Sequence, residues 1–413
     1  MADMTTVDRI VCDYGFPIYL YEEDVIARQV SILKEALPGF NIFYSIKTNP
    51  NKHICRYMSN QGLGADAASA NEVMKAYEAG FDKKDILYSS PGKTAEDIIN
   101  TLDKAVIIAD SYNELAMIND LCAQQGKKAA VGLRINPNFT VTMGSAPEIA
   151  EGASSKFGVD EESLLDNKGF IETLQCVEII GIHVYLRSQI LDENVLYAYF
   201  KRIFELASTC ITQMNWNLSF IDFGGGFGIP YTKGDSAINW QTLQLQMQEL
   251  VDNQAIVAKD KIRLIIESGR FLVSEAGSFY TKIVDVKESR GQKFAIVHGG
   301  LNGFLRPSIM NIFRQISLNE ASKPFEPLFS GLNAFEVSIP ARQGEPLELV
   351  SVAGNLCTST DLLAKDVYLP KPRIGDILCV NNAGAYSYTL SPYDFASHPR
   401  PREIYINDDK YIE

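Results

Sequence analysis

The chain has 413 residues, of which 46% are hydrophobic and 22% charged, with a formal net charge of −13. That length supports two sizeable cores and the composition fits a soluble globular chain. The acid excess argues against a general nucleic-acid binder, though a few local cations can still hold an anionic ligand. No run of about 18 apolar residues suggests a membrane span.

The N-terminus, Met1-Ala2-Asp3-Met4, lacks a basic region followed by an apolar one, so no signal peptide is expected. Cys12, Cys55, Cys122, Cys176, Cys210, Cys357 and Cys379 show no CxxC spacing, which suits reduced thiols in a cytoplasmic protein. His53, His183, His298 and His398 lack metal-ligand spacing, so no metal site is expected.

Residues 1–32 read as a lead-in. Phe16 to Tyr21 has strand character, and Glu22 to Leu37 has helical spacing, with Val25, Ile26, Val30 and Leu33 on one side. A rhythm then begins. Apolar β-type runs occur at 42–46, 62–65, 86–89, 105–109, 129–135, 178–185, 219–223 and 262–266. Helix-type segments lie between them, such as Ala70 to Ala79, Thr94 to Leu102, Ser111 to Gln124 and Leu191 to Met214. Eight strands alternating with helices predict a parallel sheet closed as a (β/α)8 TIM-type barrel over 33–276. From 277 the pattern changes. Phe279 to Val286, Lys293 to Val297, Pro346 to Val352 and Asp376 to Val380 read as strands separated by turns rather than long helices. This predicts a C-terminal all-β sandwich or barrel domain over 277–413, which the lead-in strand joins.

The barrel strands end, in order, at Lys47, Asp66, Ser89-Ser90, Asp110, Arg134 with Asn136, His183 with Tyr185, Gly224-Gly225-Gly226, and Glu267-Ser268-Gly269-Arg270. In such a barrel these ends share one rim, where active sites are built. Strand caps are often polar in any case. Lys47 follows the run Phe43 to Ile46 and precedes the turn at Asn49-Pro50. At a buried strand end, desolvation would make it an amine nucleophile suited to a Schiff base; the plainer reading is a lysine in water. Gly224 to Gly228 and Gly269-Arg270 follow strands seven and eight, where phosphate sites commonly form. Glu267 would hold a pyridine nitrogen protonated and so make the ring an electron sink; the alternative is a surface pair with Arg270. His183 and Tyr185 share a strand face, where either ring would stack on a flat cofactor or serve as core. Cys357, in the polar turn Gly354 to Asp361, is a proton donor or an inert thiol. Tyr386, after Gly384-Ala385, is a phosphate-bonding phenol or an ordinary tyrosine.

Together these segments resemble the fold-type III decarboxylases that use pyridoxal 5′-phosphate, the group of the diaminopimelate and ornithine decarboxylases. Tyr44 to Asn49 is similar to the YAVKAN segment, Asp66 to Ser69 to DVAS, and Ser155 to Gly158 to SKFG. Gly181 to Gln189 is similar to GxHxHxGSQ, Gly224 to Gly228 to GGGFG, and Glu267 to Arg270 to EPGR. Arg306-Pro307, Cys357 with Asp361, and Gly384-Ala385-Tyr386 complete an ordered set spanning nearly the whole chain. The resemblance implies that Lys47 carries the cofactor, with Asp66 beside it, and that Glu267 meets its ring nitrogen. It places Gly224, Gly225, Gly226, Gly269, Ser188 and Tyr386 around the phosphate and makes Arg270 and Arg306 candidates for a substrate carboxylate. It has Cys357 and Asp361 enter from the partner subunit of a homodimer. Glu267 separates this reading from the alanine racemases of the same fold type, which place an arginine at the ring nitrogen.

The departures bear on the substrate. Tyr185 stands where the family's stacking histidine is expected, which leaves that role open between Tyr185 and His183. Arg187 replaces a glycine, Ser268 and Asn355 replace prolines, and His298 replaces an aspartate. Thr358 stands where diaminopimelate enzymes carry the glutamate that meets the distal end of their substrate. These changes resemble a natural-product branch that decarboxylates an amino acid on an acyl carrier protein, such as the glutamyl-thioester decarboxylases of butirosin-type antibiotic pathways. The expectation is Cα decarboxylation of an amino-acid-derived substrate, with Arg187, Arg270, Arg306, Thr358 and Asp361 lining its site. Diaminopimelate decarboxylation is the alternative. Intact Lys47, Glu267 and Cys357 argue against a silent, partner-binding homologue.

Overall fold

The structure, a computed structural model, describes residues 3–141, 149–150, 154–185, 187–232, 234–254, 262–315, 334–407 and 410–413. Two compact units form. One comprises Ser31–Gly228 and Ala237–Gly269; the other comprises Met1–Val30, Ile229–Ser236 and Arg270–Glu413.

The first unit is a closed barrel. Its parallel strands are Phe40–Ser45, Gly64–Ala67, Ile86–Tyr88, Val106–Ala109, Ala129–Asn136, Val177–His183, Phe220–Asp222 and Arg263–Ser268. Each pairs with the next, and the last pairs back to the first. The eight-strand alternation in the sequence is thereby borne out. The intervening helices begin where side chains satisfy their first amides: Ser69 accepts from the Glu72 amide, Ser111 from that of Glu114, and Thr94 with Asp97 forms a capping box.

Alternation along the strands builds the interior in layers. At one end Arg263 Nε donates to Asn41 at 2.7 Å and its guanidinium meets Asp85. The next layer is apolar, with Phe43, Leu87, Ile108, Phe220 and Ile265 in one cluster. Its two phenyl rings fit because glycines face them. A Cβ on Gly181 would stand 2.3 Å from the Phe220 ring, and one on Gly64 2.5 Å from the Phe43 ring. Two residues further along each strand come Ser45, Asp66, Ser89, Asp110, Arg134, His183, Asp222 and Glu267, all buried. The barrel thus ends in a polar layer to which every strand contributes one side chain.

In the other unit, strands run in the order Leu362–Pro370, Leu347–Ala353, Gln292–Val297, Gly277–Ser289, Ile18–Glu22, Arg402–Asn407, Lys410–Ile412. Ile18–Glu22 lies between Gly277–Ser289 and Arg402–Asn407. Val7, Ile10, Ile18, Leu20, Tyr280, Cys379 and Ile404 form its core. Several elements go beyond the sequence reading, the strands Arg402–Asn407 and Lys410–Ile412 among them. The Met4–Tyr14 helix closes that core with Val7 and Ile10. The Leu305–Gln315 helix is masked in sequence by Pro307, which its first turn tolerates because the proline's missing amide has no partner there. In Leu362–Pro370 the alternation is broken at Asp366, whose φ of 51° accompanies register shifts against Leu347–Ala353. No helix among the described residues is long and apolar enough to cross a membrane.

Candidate active site

Lys47 lies in the 3-10 turn Ile46–Thr48, directly after the first barrel strand. Its Nζ is 2.8 Å from Asp66 Oδ2, and Asp66 also accepts from Ser89 Oγ at 2.6 Å. Burial alone would raise the Asp66 carboxyl; the Lys47 charge and the hydrogen bonds from Lys47 and Ser89 outweigh it and hold it below the ordinary value. The side chain of Lys47 is 38% exposed, so it is not the fully desolvated amine expected at a buried strand end. A buried carboxylate holds it instead.

Glu267, His183 and Asp222 meet at neighbouring strand ends. His183 Nε2 is 3.4 Å from Glu267 Oε1 without hydrogen-bonding geometry, and Glu267 Oε1 has no hydrogen-bond partner among the described residues. One donor atom from each of the three lies within 4.8 Å of the others, a spacing wide enough for a divalent ion. Burial, then the Glu267 charge, pushes the Asp222 carboxyl well above the ordinary range. On the far side, Arg134 Nη1 donates to the Ser89 carbonyl at 3.3 Å and lies 3.8 Å from Asp110. Lys93 Nζ sits 2.8 Å from Glu114, both buried.

The glycine loop is shaped by close approaches. Gly224 has φ +63°, and a Cβ there would stand 2.4 Å from the Val184 carbonyl. The Ile190 amide donates to the Gly226 carbonyl at 2.8 Å, which ties this loop to the one carrying Arg187 and Ser188, both half-buried. Tyr185 is half-buried one alternation beyond the buried His183; Leu186 lies outside the described residues. Gly225 backs onto the Glu267 carbonyl, and Gly269 packs on Thr48.

The other unit brings together Arg270, Arg306 and Tyr386. Arg270 and Arg306 are buried, Arg306 completely. Arg270 lies over the Tyr386 ring at 5.3 Å, and Arg306 Nη1 donates to the Ala385 carbonyl at 2.8 Å. Both Glu267 and Arg270 are interior, so the surface-pair alternative fails. Cys357 is exposed on the turn between Leu347–Ala353 and Leu362–Pro370. Asp361 is buried and shapes that turn: Oδ1 accepts from the Leu301 amide and Oδ2 from the Leu356 amide. The Thr358 and Thr360 hydroxyls bond each other at 2.9 Å.

Two site residues escape the sequence reading. Asp222 was signalled by alternation, two residues beyond the inward Phe220, but the glycine run beside it draws the eye. Tyr231 accepts from Arg270 Nη1 at 2.8 Å, a contact that no local pattern announces.

Comparison with known proteins identifies the family. Residues 23–274 match the pyridoxal-dependent decarboxylase, pyridoxal binding domain. The L-glutamyl-[BtrI acyl-carrier protein] decarboxylase of Niallia circulans is 32% identical, over 99% of this chain and 93% of its own. Diaminopimelate decarboxylase of Aquifex aeolicus is 29% identical, over 96% of this chain and 87% of its own. The crystal structure of diaminopimelate decarboxylase from Helicobacter pylori complexed with L-lysine superposes with a TM-score of 0.81 at 26% identity, covering 98% of this chain and 95% of that one. The residues present suit pyridoxal phosphate. Glu267 Oε1 is a buried acceptor in want of a donor, which a protonated ring nitrogen supplies, and Lys47 presents a primary amine on the same rim. The chain belongs to the pyridoxal-dependent decarboxylases, with pyridoxal phosphate as its cofactor.

Proposed function

We propose that the chain removes the α-carboxylate of an amino acid whose distal end is acylated, thioester-linked or anionic, a glutamyl group on a carrier protein being the first choice. The observation that supports it is the Cys357–Asp361 turn. The Asp361 carboxylate is engaged by two backbone amides, and Thr358 bonds Thr360. Neither offers the free carboxylate that a distal ammonium needs, and a charge buried without one is expensive. The relative named for a glutamyl-carrier substrate agrees with this reading.

In this reading Lys47 carries the cofactor, Glu267 holds its ring nitrogen, and the Gly224–Gly226 loop, Gly269, Ser188 and Tyr386 receive its phosphate. Tyr185, half-buried one alternation beyond His183, covers the ring face. The protonated ring, when bound, accepts the electron pair left as the carboxylate departs. Arg270 and Arg306 orient the substrate through a carboxylate, and Arg187 favours an anionic or carbonyl-bearing distal group. Cys357 returns the proton to Cα from the partner subunit of a homodimer.

Carbon dioxide release, measured at equal concentrations of free lysine, ornithine, diaminopimelate, N-acylated ornithine, glutamate and a carrier-bound glutamyl thioester, tests the proposal. The last three are expected to lead. Fast turnover of free diaminopimelate alone would restore the second reading, diaminopimelate decarboxylation, which the Aquifex aeolicus and Helicobacter pylori relatives favour.

A further inference from the structure

Tyr231 follows the glycine loop by three residues and is 5% exposed. Nothing in the proposed reaction uses it. Its Oη accepts from Arg270 Nη1 at 2.8 Å and lies 3.4 Å from Ser274 Oγ. The guanidinium carbons of Arg270 and Arg306 each stand 5.7 Å from its ring centre. The Phe335 ring meets it edge-on at 5.7 Å. On its own loop, Asp235 Oδ2 accepts the Tyr231 and Thr232 amides. Among the described residues, those found facing the phenol are two guanidiniums, one hydroxyl and one apolar ring, all from the same unit.

Two interior guanidiniums are costly unless an anion answers them. The group set between these two is a phenol. Burial raises it, but Arg270 and then Arg306 outweigh burial and bring it down to about 7. Tyr231 also lines a cavity of about 600 Å³, together with Thr232, Asn311 and Phe335 and the two acidic residues Glu336 and Asp366.

We infer that Tyr231 is the resident counter-anion of the Arg270–Arg306 pair, and that an incoming carboxylate displaces it. The carboxylate takes over hydrogen bonds from the guanidiniums, and the phenolate oxygen takes one proton from solvent. This rests on the reading that the arginine pair receives a substrate carboxylate, and it adds a consequence. Binding is linked to proton uptake, so carboxylate affinity weakens by up to about tenfold per pH unit once the free enzyme holds phenolate.

The test is calorimetric titration of the holoenzyme with glutarate, a dicarboxylate without an amine to react, in buffers of differing ionisation enthalpy. Wild type is expected to take up about 0.9 proton per bound glutarate at pH 8, falling to about 0.5 at pH 7. Tyr231→Phe is expected to bind glutarate with no such uptake. In wild type labelled with 13Cζ-tyrosine, one resonance is expected to titrate near neutrality and to return to the phenol position when glutarate is added; this readout needs no variant. Glutarate binding with the same proton count in both proteins, or with no phenolate resonance in wild type, overturns the inference and leaves the carboxylate reading standing. Absence of glutarate binding to wild type overturns both.

Discussion

Asp222 Oδ1 accepts the Gly224 amide at 2.9 Å, while burial and the Glu267 charge push its carboxyl well above the ordinary range. An asparagine keeps the acceptor for that amide and carries no titrating proton; an alanine leaves the Gly224 amide without its partner, a loss of about 1–3 kcal/mol. The pH dependence has a definite sign. A folded-state value above the unfolded one means that the folded chain binds more protons from about pH 4 upward, so this carboxyl subtracts stability as pH climbs toward its raised value. Asp222→Asn is therefore expected to gain urea resistance relative to wild type as pH rises above about 4, with Asp222→Ala below both at pH 4. Parallel stability curves for wild type and Asp222→Asn would show that the Asp222 carboxyl is not raised. Lys47 is tested more directly. Borohydride should fix the cofactor's visible chromophore to a single peptide containing Lys47, and Lys47→Ala should lose that label; a label retained elsewhere removes Lys47 from its role.

The strands show why some of the site was legible in sequence and some was not. Lys47, Asp66, His183 and Glu267 end apolar runs, so position along a strand sufficed to find them. Asp222 needed strand direction as well, since only the inward register of Phe220 against Gly181 shows which way it faces. Tyr231, Arg306 and Tyr386 meet Arg270 through segments far apart in the chain, and no local period encodes such a meeting. The bulge at Asp366 hides its strand for a related reason, because the extra residue shifts the alternation out of phase. The glycines of the apolar layer make an element-level prediction. Gly181→Ala drives a methyl group into the Phe220 ring, an overpacking that costs about 1–3 kcal/mol. Denaturant melts should show that loss and its partial recovery in Gly181→Ala with Phe220→Leu. A single variant as stable as wild type would mean that the barrel interior yields more readily than its packing implies.

At the scale of the whole molecule the question is how many chains make one site. Cys357 is exposed at the tip of a turn that Asp361 holds from behind with two backbone amides. The sequence around it places a thiol there with no buried role in its own chain. A proton donor exposed in this way acts only where another surface closes over it, and a second copy of the chain is the proposed surface. In a two-fold dimer each Cys357 would then serve the Lys47 of its partner. Lys47→Ala and Cys357→Ala proteins, each nearly inactive alone, should complement when mixed and allowed to exchange. Random pairing makes half the dimers mixed, and each mixed dimer has one site with both residues intact, so activity should recover to about a quarter of wild type. Covalent tagging of the two proteins would confirm exchange. Recovery with exchange makes the dimer the catalytic unit. If exchange is proven and activity stays at the level of the separate variants, Cys357 works within its own chain or outside the site, and proton return to Cα needs another donor.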